Sequence, residues 1–73
     1  MKYYKHPKSA EVYRVSDDGK YDFWHAPHMD GESFHYDGKW ISSDQKIKYA
    51  IKQWGVYEIT EQELKRFMFI HSL

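Results

Sequence analysis

Apolar residues follow two different rhythms along this chain. From Ser42 to Val56 they recur at offsets of three and four (Ile47, Ala50, Ile51, Trp54), while Lys46, Lys48, Lys52 and Gln53 fill the positions between. That spacing puts one dry stripe on an α-helix and leaves the other faces wet. Ser42 or Ser43 can accept from the free amides of a first turn, Asp44 complements the positive end of the helix dipole, and Gly55 can take the left-handed conformation that ends a helix. The pattern predicts a helical segment over 43–55, regular from about Asp44 to Trp54. A second helix is predicted over 60–71, because Thr60-Glu61-Gln62-Glu63 matches a capping box and Ile59 with Leu64 can close a hydrophobic staple across it. Leu64, Phe67, Met68 and His71 share a stripe of that helix, and Phe69 and Ile70 lie off it.

The other rhythm is alternation. Glu11 to Ser16 and Tyr21 to Ala26 are rich in β-branched and aromatic residues and are separated by Asp17-Asp18-Gly19, a hairpin signal. A two-residue turn would mix polar and apolar side chains on both faces. A three-residue loop with Gly19 left-handed instead pairs Val15 with Tyr21, Tyr13 with Phe23 and Arg14 with Asp22. One face is then apolar (Tyr13, Val15, Tyr21, Phe23), and the other carries Val12, Trp24 and an Arg14–Asp22 ion pair. Pro27 to Gly31 reads as a loop. Beyond it, Glu32 to Tyr36 and Lys39 to Ser42 flank Asp37-Gly38, a type I′ turn signal, which predicts a second hairpin with Phe34 facing Ile41 and His35 facing Trp40. Residues 1–9 read as an extended arm, since Pro7 lacks an amide donor and biases His6 away from helical angles. Val56 to Ile59 reads as a short extended piece, a candidate edge strand.

Together these elements predict an α+β fold in one domain. A small antiparallel sheet of two consecutive hairpins (three to four strands, residues 10–42) is packed by the central amphipathic helix, with the C-terminal helix following. At 73 residues the net stability of one core is only about 3–5 kcal/mol. Aromatic residues make up 19% of the chain, which is how so short a sequence reaches a core, since these side chains bury the most area per residue. With no cysteine, a disulfide framework and thiolate metal sites are excluded. No stretch nears the roughly 18 apolar residues of a membrane span, and the basic, aromatic start is followed by no apolar run. The expected setting is a soluble, cytoplasmic one.

Charge bears on function. Eleven basic residues balance eleven acidic ones, so the chain lacks the net positive footprint of a typical nucleic-acid binder. Lys39, Lys46, Lys48 and Lys52, with Lys65 and Arg66, still give the helices a basic side. Binding of nucleic acid through that side or through sheet aromatics is the alternative to weigh. The second helix opens with Glu61 and Glu63, acidic at the end a reading helix would insert, and a solvated face is the commoner use of such lysines. His25, His28, Asp30 and His35 are the one metal-like cluster. Their spacing matches no known zinc ligand pattern, so histidines on a loop and sheet edge explain them as well, and no metal or other cofactor is expected. Asp17 and Asp18 are adjacent in a turn, where such residues serve backbone geometry. No Ser/His/Asp arrangement, phosphate loop or nucleotide motif is found, so no catalytic residues are assigned and a non-catalytic role is expected.

Trp24 and Trp40 are the most informative pair. In the registers above both point to the sheet face away from the central helix, near Val12 and His35. Unless the arm with Tyr3 and Tyr4 or the last helix covers them, they form an aromatic patch of the kind that marks partner surfaces. Trp24, His35 and Trp40, with Met29 and His28 of the neighbouring loop, are the candidate partner-binding residues, and self-association through them would look the same.

The opening, Tyr3-Tyr4-Lys5-His6-Pro7 followed by Glu11-Val12-Tyr13 and an Asp-Asp-Gly turn, resembles the start of small proteins encoded by tailed bacteriophages, over about the first twenty residues. The resemblance implies a compact accessory protein of a class that binds and modulates host proteins, and it assigns no functional residues.

Overall fold

In the computed structural model the described residues are 1–30, 33–36 and 38–71, with 28–30 and 33–36 described by backbone alone. The strands are β1 (Lys2–Lys5), β2 (Glu11–Val15), β3 (Lys20–His25), β4 (His28–Asp30), β5 (Ser33–Tyr36), β6 (Trp40–Lys46) and β7 (Tyr57–Ile59); the helices are α1 (Ile47–Trp54) and α2 (Glu61–His71). A five-stranded antiparallel sheet in the order β6-β3-β2-β1-β7 carries both helices, and β4 and β5 pair separately. The fold class is α+β, as the two rhythms predict.

The first hairpin takes the three-residue loop. Tyr13 pairs with Phe23, Arg14 with Asp22 and Val15 with Tyr21; Gly19 has φ +84°, a conformation that a side chain would strain. Asp18 organises the turn, its Oδ1 accepting from the Ser16 hydroxyl at 2.8 Å and the Lys20 amide at 3.0 Å. The Lys20 amide first, and then Ser16, hold its carboxyl below the usual range.

The second predicted hairpin does not form. β6 pairs with β3 instead, setting Ile41 against Phe23 and Trp40 against Trp24, and β5 pairs back onto β4, within the stretch expected to be a loop. The cause is energetic. Joining β6 to the main sheet sets Trp40 beside Trp24 on one face and Ile41 beside Phe23 on the other and gives its backbone a ladder in a five-stranded sheet, whereas an isolated two-stranded hairpin is marginal. Gly38 keeps a positive φ of 72°, and its carbonyl accepts the Trp24 indole N–H at 2.6 Å.

The same pairing delays the central helix. Residues 42–46, expected to cap and begin it, remain extended as far as the Lys20–Lys46 pair. Lys46 is the N-cap and contributes no side-chain bond; the Ile47 amide donates to the Gly19 carbonyl at 2.9 Å. At the other end the reading holds, with Gly55 left-handed and its amide donating to the Ile51 carbonyl.

Residues 2–5 are also more than an arm. β1 lies between β2 and β7, with Tyr4 paired to both Tyr13 and Glu58. His6 shapes the turn into β2, its Nδ1 accepting the Lys8 and Ser9 amides at 3.0 and 3.1 Å.

Each face of the sheet has its own core. On one, Tyr13, Tyr21, Ala50 and Val56 are buried, with Tyr4, Val15, Phe23 and Ile47 packed around them. Ala50 is the buried residue of α1, a small side chain set among the large rings of Tyr13 and Tyr21. The predicted stripe is therefore only partly dry: Ile51 is 41% exposed and Trp54 40%. On the other face Val12, Trp24, Ala26, Ile59 and Leu64 are buried, flanked by Tyr3, Ala10, Trp40, Phe67 and Met68.

Candidate functional site

The register places Trp24 and Trp40 as cross-strand neighbours on the face away from α1. α2 then covers that face. Trp24 is 3% exposed, in the cluster with Leu64, and its ring meets the Phe67 ring edge-on at 6.2 Å. Trp40 is half-buried, with the Arg14 guanidinium 4.4 Å from its ring centroid. Arg14 is fixed in turn by Asp22, Nε to Oδ2 2.8 Å. Trp24 is thus core and offers no docking surface, a correction forced by the need to cover both faces of a small sheet. The side chains of His28, Met29 and His35 lie outside the described residues. So do those of His28, Asp30 and His35 as a metal set. Among the described residues no three His, Cys, Asp or Glu side chains are grouped to hold a metal, and His25 sets its Nδ1 2.9 Å from the Ala26 carbonyl.

Large apolar side chains are exposed at several places, Phe69, Tyr49 and Ile51 among them, and two others, Tyr57 and Ile70, meet where α2 lies beside the far edge of the sheet. Tyr57 and Ile59 alternate on β7 and point to the α2 side with Lys5 and Tyr3. Glu63, Arg66, Phe67 and Ile70 stand at the i, i+3, i+4, i+7 spacing of one helix flank. Together with Lys5, these side chains enclose a cleft of about 290 Å³. Its lips are exposed apolar groups, Tyr57 at 48% and Ile70 at 56%, and its floor is the buried Ile59.

Two cations border this cleft. The Lys5 ammonium sits 5.0 Å from the Phe67 ring centroid and donates to the His6 carbonyl at 3.0 Å. Arg66 is exposed on the helix flank. Among the described residues the one carboxylate lining it is Glu63, whose Oε1 accepts the Thr60 amide at 2.9 Å while the Glu63 amide donates to Thr60 Oγ1 at 3.1 Å. This is the capping box the sequence predicts, and the Thr60 amide is the main reason the Glu63 carboxyl stays below its usual range. A second, wider recess of about 760 Å³ runs past Lys2, Tyr3, Glu58, Thr60 and Glu61, with Met1 and Ile59 adding apolar surface. There the Tyr3 hydroxyl donates to Glu61 Oε1 at 3.2 Å.

Sequence reading missed the cleft because it sought the buried stripe of α2, and the cleft uses the flank beside it. The signal was present in the Tyr57-x-Ile59 alternation followed by 63, 66, 67 and 70 at helical spacing.

The chain matches no protein-family model, and no curated protein or solved structure is significantly similar to it. Among the described residues no helix is long and apolar enough to cross a membrane.

Proposed function

We propose that this chain is a non-catalytic protein-binding module that docks on another protein and modulates it, using the cleft between α2 and β7. The observation that carries this reading is an apolar cleft lipped by Tyr57 and Ile70 and left open at the surface, beside a face whose Val12, Trp24 and Leu64 are buried. Exposed aromatic and aliphatic anchors around a recess are what binding hot spots are made of, and each central one is worth about 2 kcal/mol or more. The recess lies at the low end of small-molecule sites, which run from about 300 Å³ upward; it suits the side chains of a protein partner better than a cofactor. The resemblance of the first twenty residues to phage proteins makes a bacterial host protein the partner class to search first.

The alternative, nucleic-acid binding, loses one of its stacking platforms with the burial of Trp24 and keeps the exposed Lys46, Lys48 and Lys52. Affinity capture from bacterial lysate separates the two. Wild type is expected to recover a specific protein that Ile70→Asp does not, with both proteins folded by circular dichroism. Recovery of no protein defeats the module reading. Retention of DNA or RNA that washes off between about 50 and 200 mM salt supports the alternative.

A further inference from the structure

We infer that the partner segment is an extended acidic peptide, which adds as a strand to the outer edge of β7 and sets its apolar side chains in the α2–β7 cleft. The inference rests on the binding-module reading and names the chemistry of the ligand for that site. Three independent features converge on it.

The first is backbone. β7 ends the five-stranded sheet, paired with β1 on one side and with no strand beyond it among the described residues. Its N–H and C=O groups on that side can pair with an incoming chain, and strand addition to a sheet edge is a recurrent mode of peptide recognition. At three residues it spans only about 10 Å, so pairing alone is weak and side-chain anchors must add to it.

The second is shape. A strand laid along β7 turns every other side chain toward α2, the side on which Tyr57 and Ile59 lie. Those side chains enter a cleft between Tyr57, Phe67 and Ile70. A helix flank beside an open strand edge therefore reads both the backbone and the alternate residues of a ligand.

The third is charge. Lys5 and Arg66 both line the cleft against one carboxylate among the described residues, Glu63, which keeps its charge near Arg66 while its Oε1 accepts the Thr60 amide, so the lining carries a single positive charge in excess. Among the described residues Lys5 is met only by a carbonyl and an aromatic face, and neither neutralises it. A carboxylate next to the apolar anchor complements this pair, and a basic peptide is repelled by it. A nucleic-acid strand fits less well, since apolar walls and a free strand edge offer nothing to a phosphate backbone.

The test is selection of a displayed random dodecapeptide library on the full chain. Enriched peptides are expected to alternate large apolar residues with Asp or Glu. A synthetic copy of the leading peptide should shift the amide resonances of residues 57–59 and 66–70, and should lose at least about tenfold in affinity when its acids become amides. Arg66→Glu, at an exposed position, should weaken it by a similar factor, and so should Ile70→Asp. The inference is overturned by absence of enrichment, by enriched peptides without carboxylates, or by equal binding to Arg66→Glu. A protein captured from lysate through Ile70 and not displaced by the selected peptide leaves the module reading in place and removes the acidic strand.

Discussion

Tyr13 is completely buried, yet it carries a hydroxyl that must be satisfied, and it does so by donating to Glu11 two residues back on the same strand. Its ring also meets Tyr21 edge-on at 5.3 Å. Burial first, and the bond to Glu11 second, push the phenol well above its usual value near 10.0. The neutral form is therefore favoured by folding. This contribution is complete below pH 10 and is lost as pH rises toward the folded value, because the unfolded chain releases the proton first. Tyr13→Phe should cost about 1.5–3 kcal/mol at pH 7, the range for a hydrogen bond to a charged acceptor. It should also make the alkaline fall in stability shallower than in wild type, measured by urea unfolding between pH 7 and 11. An unchanged alkaline slope would show that Tyr13 is not the group responsible. Tyr13, Arg14 and Trp24 were legible as to face, since a period of two and one correct loop length fix which side each occupies. Exposure was not legible. Whether Trp24 is a patch or a core depends on α2, which lies far from it in the sequence.

At the scale of elements, the two helices differ in how they begin. α2 is specified locally: Thr60 and Glu63 exchange reciprocal bonds, and Ile59 and Leu64 are buried in one cluster across them. The capping box therefore showed in the sequence where this helix begins, to within about a residue. α1 is specified from a distance. Ser42, Ser43 and Asp44 could have capped a helix, but β3 offers their backbone a ladder that a cap cannot match, and the strand runs on to Lys46. Local cap signals and a long-range pairing competed, and only the first was visible. Thr60→Ala should cost about 1 kcal/mol through the lost cap. Because the Glu63 carboxyl sits below its ordinary value of 4.5, its stabilising effect is present above that pH and declines as pH falls through the lower folded value. Glu63→Gln should flatten the acid dependence of stability below about pH 4.5; a curve superimposable on wild type would contradict the assignment.

For the whole molecule, the decisive feature is that the first residues of the chain close the sheet against the last strand. β1 pairs with both β2 and β7, and Tyr3 reaches Glu61 across 58 positions. No local pattern in residues 1–9 announces this, since an extended segment with Pro7 reads the same whether it is free or paired; the partners are distant and the alternation is short. The consequence is mechanical. Without β1, β2 loses a neighbour, β7 loses the one strand it pairs with among the described residues, and α2 loses Tyr3 and Lys5 from the face it covers. Trp24 and Val12 would then face water unless α2 found another hold. Removal of residues 1–5 is therefore expected to abolish cooperative unfolding and not merely lower the melting temperature, because a domain of this size has only about 3–5 kcal/mol to lose. Thermal and urea denaturation of the shortened chain, followed by tryptophan fluorescence, provide the measurement. Red-shifted emission with a broad, non-sigmoidal transition is the expected result. A sigmoidal transition within about 5 °C of wild type would show that the remaining strands close the core on their own. Non-local closure also predicts slow folding for the length, in the range of milliseconds or longer, since the end-to-end pairing must meet its loop entropy before it returns any stability.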